Sequence, residues 1–174
     1  MKNAFIWSAC LLVTILTGCG ARDEADYCSA HENFHPEHQD KVAKLNVRYG
    51  NDGVVDAVLE ANHAVLRAAE DPAAVDTAAG ILGDVNRVFM VTATNACELT
   101  LSTVEKQTDK LQAHYVFNCG DSNRLENVDI KLLEHLPLID ELEADIETSA
   151  VRKTFLISRQ CKKPIFNYQN LSQN

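Results

Sequence analysis

The chain has 174 residues, which is enough for one domain with a sizeable hydrophobic core. Its formal net charge is −9 at pH 7, with 25 acidic residues against 16 lysines and arginines. Because binding to phosphates needs a basic face, this balance argues against nucleic acid as a partner.

The first residues have the pattern of a bacterial lipoprotein signal. A short basic start precedes a mainly apolar run over residues 4–16, which is shorter than the roughly 20 apolar residues that span a bilayer. The run closes with Leu16-Thr17-Gly18-Cys19, which resembles a lipobox. This resemblance implies removal of residues 1–18 and acylation of Cys19, with palmitate among the acyl chains. Gly20 rather than Asp follows, so we expect an outer-membrane anchor that faces the periplasm. The alternative is an ordinary signal peptide that contains a cysteine.

Cysteine usage also indicates an oxidising compartment. Cys10 lies in the signal and Cys19 carries the lipid. The remaining cysteines are Cys28, Cys97, Cys119 and Cys161. An even number in a secreted chain predicts two disulfides, for which three connectivities exist. A four-cysteine zinc site is the alternative, although no C-x-x-C spacing supports it.

A polar tether over residues 19–41 carries the one cluster of metal-ligand type in the chain. Its histidines are His31, His35 and His38, and acidic residues lie among them. Neutral imidazole suits zinc and copper, and a nearby carboxylate can complete a tetrahedral site. The tether therefore predicts a metal site with these three histidines as ligands. The alternative is a solvated linker that contains three histidines.

A single domain is predicted over residues 42–168, followed by a polar tail over 169–174. Leu45, Val47 and Tyr49 alternate with polar residues and predict a first strand, and residues 50–53 (Gly-Asn-Asp-Gly) predict a turn. Residues 54–70 fit both strand and helix spacing. The hairpin context favours a strand to about Glu60, then irregular or helical structure.

Asp71-Pro72 predicts the start of the main helix, because Asp can cap a helix and Pro suits its first position. An apolar stripe at steps of three and four predicts about four turns. The stripe comprises Val75, Ala78, Leu82, Val85 and Phe89. Residues 91–96 then lead into a hairpin.

Residues 97–119 predict a β-hairpin with a cysteine at each outer end. Period-2 alternation indicates one buried face on each strand. The predicted inward-facing residues are Cys97, Leu99, Leu101, Thr103, Ala113, Tyr115, Phe117 and Cys119. A turn centred on Thr108 sets Leu99 opposite Phe117 and Leu101 opposite Tyr115. The same register sets Cys97 opposite Cys119, close enough for a disulfide, and leaves Cys28 to pair with Cys161.

Alternation predicts three later strands, at residues 128–132, 142–146 and 151–157, with a turn or single helical turn over 133–138. The segment from Lys162 onward is expected to lie along the surface. Together these elements predict an α+β fold, an antiparallel sheet of about six or seven strands with one main helix packed on a face.

Few of the remaining polar residues indicate chemistry. His63, His114 and His135 are interpreted as surface or structural histidines. The acids Glu141, Glu143, Asp145 and Glu147 alternate with apolar residues, as on the solvated face of a strand. The sequence has no G-x-S-x-G, P-loop or H-E-x-x-H motif, so we expect no enzymatic activity.

Several motifs in this order are similar to a known family. They are His35-Pro36-Glu37-His38, Lys44-Leu45-Asn46-Val47, Ala96-Cys97-Glu98-Leu99, Ala113-His114-Tyr115-Val116-Phe117-Asn118-Cys119 and Val128-Asp129-Ile130. The chain thereby resembles the ZrgA-like family of periplasmic zinc-binding proteins, which are accessories to zinc uptake. The resemblance implies that His31, His35 and His38 correspond to the family's His-rich segment, and Cys97 and Cys119 to its cysteine pair. The lipobox, Cys28 and Cys161 look like additions to that pattern.

The sequence thus predicts a lipid-anchored envelope protein that holds zinc and hands it to a component of a metal-uptake transporter. The alternative is a non-enzymatic envelope lipoprotein that acts through protein contacts without metal.

Overall fold

A computed structural model of the chain describes residues 42–93, 96–120, 125–149, 152–159 and 165–167, with the backbone alone at 92, 93, 125 and 165–167. In chain order the elements are β1 Ala43–Tyr49, β2 Val54–Asn62, α1 Ala73–Leu82, α2 Val85–Val88, β3 Phe89–Ala93, β4 Glu98–Lys106, β5 Lys110–Asn118, β6 Leu125–Ile130, α3 Leu132–His135, β7 Glu141–Thr148, β8 Arg152–Ser158 and β9 Ile165–Asn167. No helix in these ranges is long and apolar enough to cross a membrane.

The main sheet has six strands in the order β4-β5-β2-β1-β7-β8. The sequence predicts an antiparallel sheet of about six or seven strands, but β1 and β7 are parallel, with Ala43 beside Leu142 and Tyr49 beside Thr148. The prediction of an antiparallel sheet is therefore wrong, and the sheet is mixed. The physical reason is the connection. Parallel neighbours need a long crossover, and here every element from β2 to α3 lies between the two strands in the chain.

A second sheet of three strands has the order β3-β6-β9. The sequence predicted β6 but placed the residues of β3 in a helix and a connection, and those of β9 in a surface tail. The fold is accordingly richer in strands than the predicted α+β domain. The structure does not confirm a single main helix covering the sheet.

One face of the main sheet forms the hydrophobic core. Alternate side chains of β1, β2, β5 and β7 point into it, as period-2 alternation predicts. The second sheet contributes Phe89, whose ring meets Tyr115 and Phe117 edge-on at centroid distances of 5.3 and 5.6 Å. The two sheets are therefore in contact through aromatic rings.

The predicted long helix is replaced by two short ones. Helix α1 begins after Asp71, whose Oδ1 accepts the Ala73 N–H at 3.0 Å, and it ends at Leu82. Asp84 then caps α2 by accepting the Asn86 N–H. Phe89 is extended and opens β3. Phe89 fits the helical spacing because it is buried in the same core as Ala78 and Leu82, although it does not belong to their helix.

The ambiguous segment 54–70 divides as the hairpin context predicts. Strand β2 runs to Asn62, and residues 63–70 form turns rather than a helix. The preceding turn places Gly53 at φ 73°, a conformation that favours glycine. For residues 133–138 the sequence predicts a turn or a single helical turn, and the structure has the short helix α3 at Leu132–His135.

The hairpin of β4 and β5 differs from the predicted one in register and burial. Leu99 is opposite Phe117, as predicted, but an irregularity between Leu99 and Leu101 shifts the rest by one residue. Leu101 is therefore opposite Val116, and the predicted Leu101–Tyr115 pairing is wrong. Leu99 and Leu101 are 38% and 39% exposed, since β4 lies at the sheet edge. The predicted burial holds for β5 and fails for β4.

Candidate functional site

The predicted zinc ligands His31, His35 and His38 lie outside the described residues. So do the lipidation site Cys19 and the predicted pair Cys28 and Cys161. Within the described ranges, no group of three His, Cys, Asp or Glu side chains converges to hold a metal ion.

The Cys97–Cys119 disulfide is confirmed. Cys97 immediately precedes β4 and Cys119 immediately follows β5, so the bridge closes the open end of the hairpin. Cys119 is buried in the core and its N–H donates to Gly53 O at 2.9 Å. The bridge therefore links the edge strand to the β1–β2 turn.

The side of the main sheet turned away from the core, hereafter the open face, carries charged side chains in cross-strand rows. Its residues include Lys44, Asn46, Arg48, Asp56, Val58, Glu60, Gln112, His114, Val116, Glu143, Asp145, Glu147 and Arg152. One row runs Asp56–Arg48–Glu147–Arg152 across β2, β1, β7 and β8, with charges alternating in sign. Opposite charges directly across a ladder favour this register over its alternatives.

The sequence predicts that the acids of β7 lie on a solvated face, but the structure partly buries one of them in an ion pair. Asp145 is only 15% exposed, and the guanidinium of Arg152 binds both its carboxylate oxygens. This hydrogen bond raises the pKa of Arg152 above its ordinary value. Arg48 Nε lies 3.5 Å from Glu147 Oε2. Sequence reasoning missed both arginines. The parallel β1–β7 pairing brings Arg48 beside Glu147, and the antiparallel β7–β8 pairing brings Arg152 beside Glu147 and within hydrogen-bond distance of Asp145.

A second polar network joins β5 to β2. Glu60 Oε1 accepts from Lys110 Nζ at 2.6 Å and from Gln112 Nε2 at 2.8 Å. Gln107 Nε2 in turn donates to Gln112 Oε1 at 3.1 Å. The carboxylate of Glu60 is thereby satisfied within the sheet.

The histidines outside the tether take separate positions. His114 lies on the open face, as predicted, with Nε2 3.0 Å from Asp56 Oδ1. His135 is exposed at the end of α3. The Nε2 atom of His63 is buried and has no hydrogen-bond partner among the described atoms.

An open depression of about 280 Å³ lies on the open face. Its wall includes Arg48, Asp56, Asp145, Glu147 and Arg152, so both signs of charge line it. A smaller one of about 130 Å³ adjoins it through Val58 and reaches His114. The charged groups of the larger depression are already paired with one another or with His114. The larger depression can accept polar contacts, but its charged side chains chiefly form ion pairs that link neighbouring strands.

Comparison with protein-family models gives no match, and comparison with curated proteins gives none either. The family resemblance read from the motifs therefore stays a prediction.

Proposed function

We propose that this chain is a lipid-anchored protein of the cell envelope that binds zinc through His31, His35 and His38 and serves as an accessory to metal uptake. Cys19 is the acylated residue, and the domain from Val42 onward is the folded body that the tether joins to the outer membrane. In this proposal the protein is not an enzyme.

The Cys97–Cys119 disulfide is the observation that carries the placement in the envelope. Disulfides form and persist in oxidising compartments and are rare in the cytosol. The lipobox points to the same compartment from independent residues. Zinc binding is supported by the histidine tether and by the resemblance to periplasmic zinc-binding proteins.

A calorimetric titration of zinc into the full chain, purified in detergent with its disulfides intact, tests zinc binding. Binding heat is expected for the wild-type chain and its loss after His31→Ala, His35→Ala and His38→Ala are combined. His135→Ala is the matched control, since that exposed histidine belongs to the folded domain. Heat that survives the triple substitution, or no heat at all, contradicts the proposal.

The anchor has its own test. Cys19→Ala should abolish acyl labelling and release the chain from membranes. Acyl labelling of the Cys19→Ala chain would show that the lipid is attached to another residue.

A second candidate is an envelope lipoprotein that acts through protein contacts without metal. The exposure of Leu99 and Leu101 on the edge strand β4 favours it, because large apolar side chains at a sheet edge suit contact with another protein. The zinc titration separates the two candidates, since this one predicts no binding heat.

A further inference from the structure

Strand β4 is attached to the domain by few buried side chains. It lies at the edge of the main sheet, and of its nine residues only Val104 is half-buried. Its neighbour β5 instead buries Leu111, Ala113 and Tyr115 completely. Elements with few buried apolar contacts open at the lowest cost in free energy. The main-chain ladder to β5 therefore supplies most of the attachment of β4.

The side-chain contacts of β4 lie mostly at the surface. Thr100 Oγ1 donates to Val116 O at 3.0 Å beside the irregularity in the ladder. Lys106 forms an ion pair with Asp76 of α1, and both side chains are more than half exposed. Exposed ion pairs contribute little to stability because water and salt screen them.

The disulfide links β4 to β5 at the end of the hairpin opposite the turn. Residues 107–109 join β4 to β5 at one end, and Cys97–Cys119 joins them at the other. The two cysteines differ in accessibility, since Cys119 is 2% exposed and Cys97 is half-buried. A nucleophile from solvent can therefore approach Cys97 more readily than Cys119.

We propose that Cys97–Cys119 is a redox-sensitive latch, whose reduction frees β4 from the main sheet while the rest of the domain stays folded. The reductant is a dithiol, either a small molecule or a thiol–disulfide oxidoreductase. Its thiolate attacks Cys97 Sγ and forms a mixed disulfide, and Cys119 leaves as a thiolate that takes up a proton. The second thiol of the dithiol then displaces Cys97. The dithiol is oxidised by two electrons, and the protein disulfide is reduced by two.

Release of β4 would uncover the ladder edge of β5. An uncovered edge of a sheet is a template for an added strand. Reduction thus changes which strand the domain offers to its surroundings, independently of whether the tether binds zinc.

Amide hydrogen exchange read by mass spectrometry tests the latch on the full chain with and without dithiothreitol. Reduction should accelerate exchange over β4 by about tenfold or more, while β1, β2 and β7 keep their protection. Alkylation and mass measurement establish that Cys97 and Cys119 are reduced in the sample.

The combined substitution Cys97→Ser and Cys119→Ser is the control, since it leaves Cys28 and Cys161 in place. Its β4 should exchange rapidly both with and without dithiothreitol. If this variant does not fold, hydrogen exchange over β4 in the reduced wild-type chain still tests the proposal. Unchanged exchange over β4 after complete reduction, or equal acceleration across the whole main sheet, overturns the proposal.

Discussion

Tyr115 joins three parts of the molecule through one buried side chain. Its ring lies edge-on to Phe89 of the second sheet, and its hydroxyl donates to Leu82 O at 2.6 Å. Leu82 is the last residue of α1, so its carbonyl has no partner within the helix. The tyrosine hydroxyl satisfies that carbonyl where water is excluded.

Tyr115→Phe should lower the free energy of unfolding by about 1 kcal/mol, because it removes the hydroxyl and leaves the Leu82 carbonyl without its donor. Urea denaturation of the variant and the wild-type chain measures the difference. Equal free energies of unfolding would mean that this hydrogen bond makes no net contribution to stability.

The same residue should make the domain sensitive to alkaline pH. Burial raises the pKa of the Tyr115 hydroxyl above its ordinary value, so the folded state favours the neutral phenol. The stabilisation is complete below the unfolded pKa of about 10 and is lost as pH rises above it. Between about pH 9 and pH 11, unfolding free energy should therefore fall more steeply for the wild-type chain than for Tyr115→Phe. Parallel declines would contradict this account.

The alternation of residues along the chain predicts which residues lie opposite each other within a hairpin. It does not predict residue pairs formed by strands that are far apart in the chain. The Cys97–Cys119 bridge follows from alternation and a nearby turn. Arg48 could not be assigned to Glu147, because β1 meets β7 only after a long crossover. Arg152 is different, since β8 is the next strand after β7 and pairs with it antiparallel, so its place beside these acids could have been predicted by pairing the two strands. The histidines of the tether lie outside the described residues, so their role as ligands stays a prediction.

Helix α1 contains a glycine whose conformation does not require one. At Gly80 an added Cβ would meet nothing within 4 Å, and the residue is exposed within the helix. Gly80→Ala should raise the free energy of unfolding by about 0.5–1 kcal/mol, since alanine loses less conformational entropy on folding. Thermal unfolding followed by circular dichroism measures it.

Gly53→Ala is the matched control for that substitution. Gly53 has φ 73°, which costs a residue with a Cβ about 1 kcal/mol. The same change of side chain should therefore destabilise the domain at this turn. Stabilisation at both positions would show that backbone conformation does not decide the outcome.

Element types were predictable where one periodicity dominated, as in β1, β5 and β7. The element type was not predictable at Phe89, because this buried residue of β3 fits the helical spacing of the apolar residues before it. Burial of β4 was not predictable either, because Leu99 and Leu101 alternate as a half-buried strand does. Only the position of β4 at the edge of the sheet leaves them exposed.

The two sheets of the domain are held together through Phe89, which is 1% exposed. Phe89→Ala should lower the free energy of unfolding by about 3–5 kcal/mol, because it removes both aromatic contacts and leaves a cavity. Met90→Ala is the control on the same strand, since Met90 is 45% exposed, and it should change stability by less than about 0.5 kcal/mol. Denaturant unfolding of both variants measures the contrast, and a loss at Phe89 no larger than at Met90 would contradict this packing.

We propose that the whole molecule is a folded domain on a lipid-anchored tether, and that the tether rather than the domain binds the zinc. X-ray absorption at the zinc edge of the loaded full chain tests that claim most directly. The account predicts a first shell of imidazole nitrogens at about 2.0–2.1 Å that disappears when His31, His35 and His38 are replaced by alanine. A shell of sulfur atoms at about 2.3 Å, or an imidazole shell unchanged by the three substitutions, would contradict it.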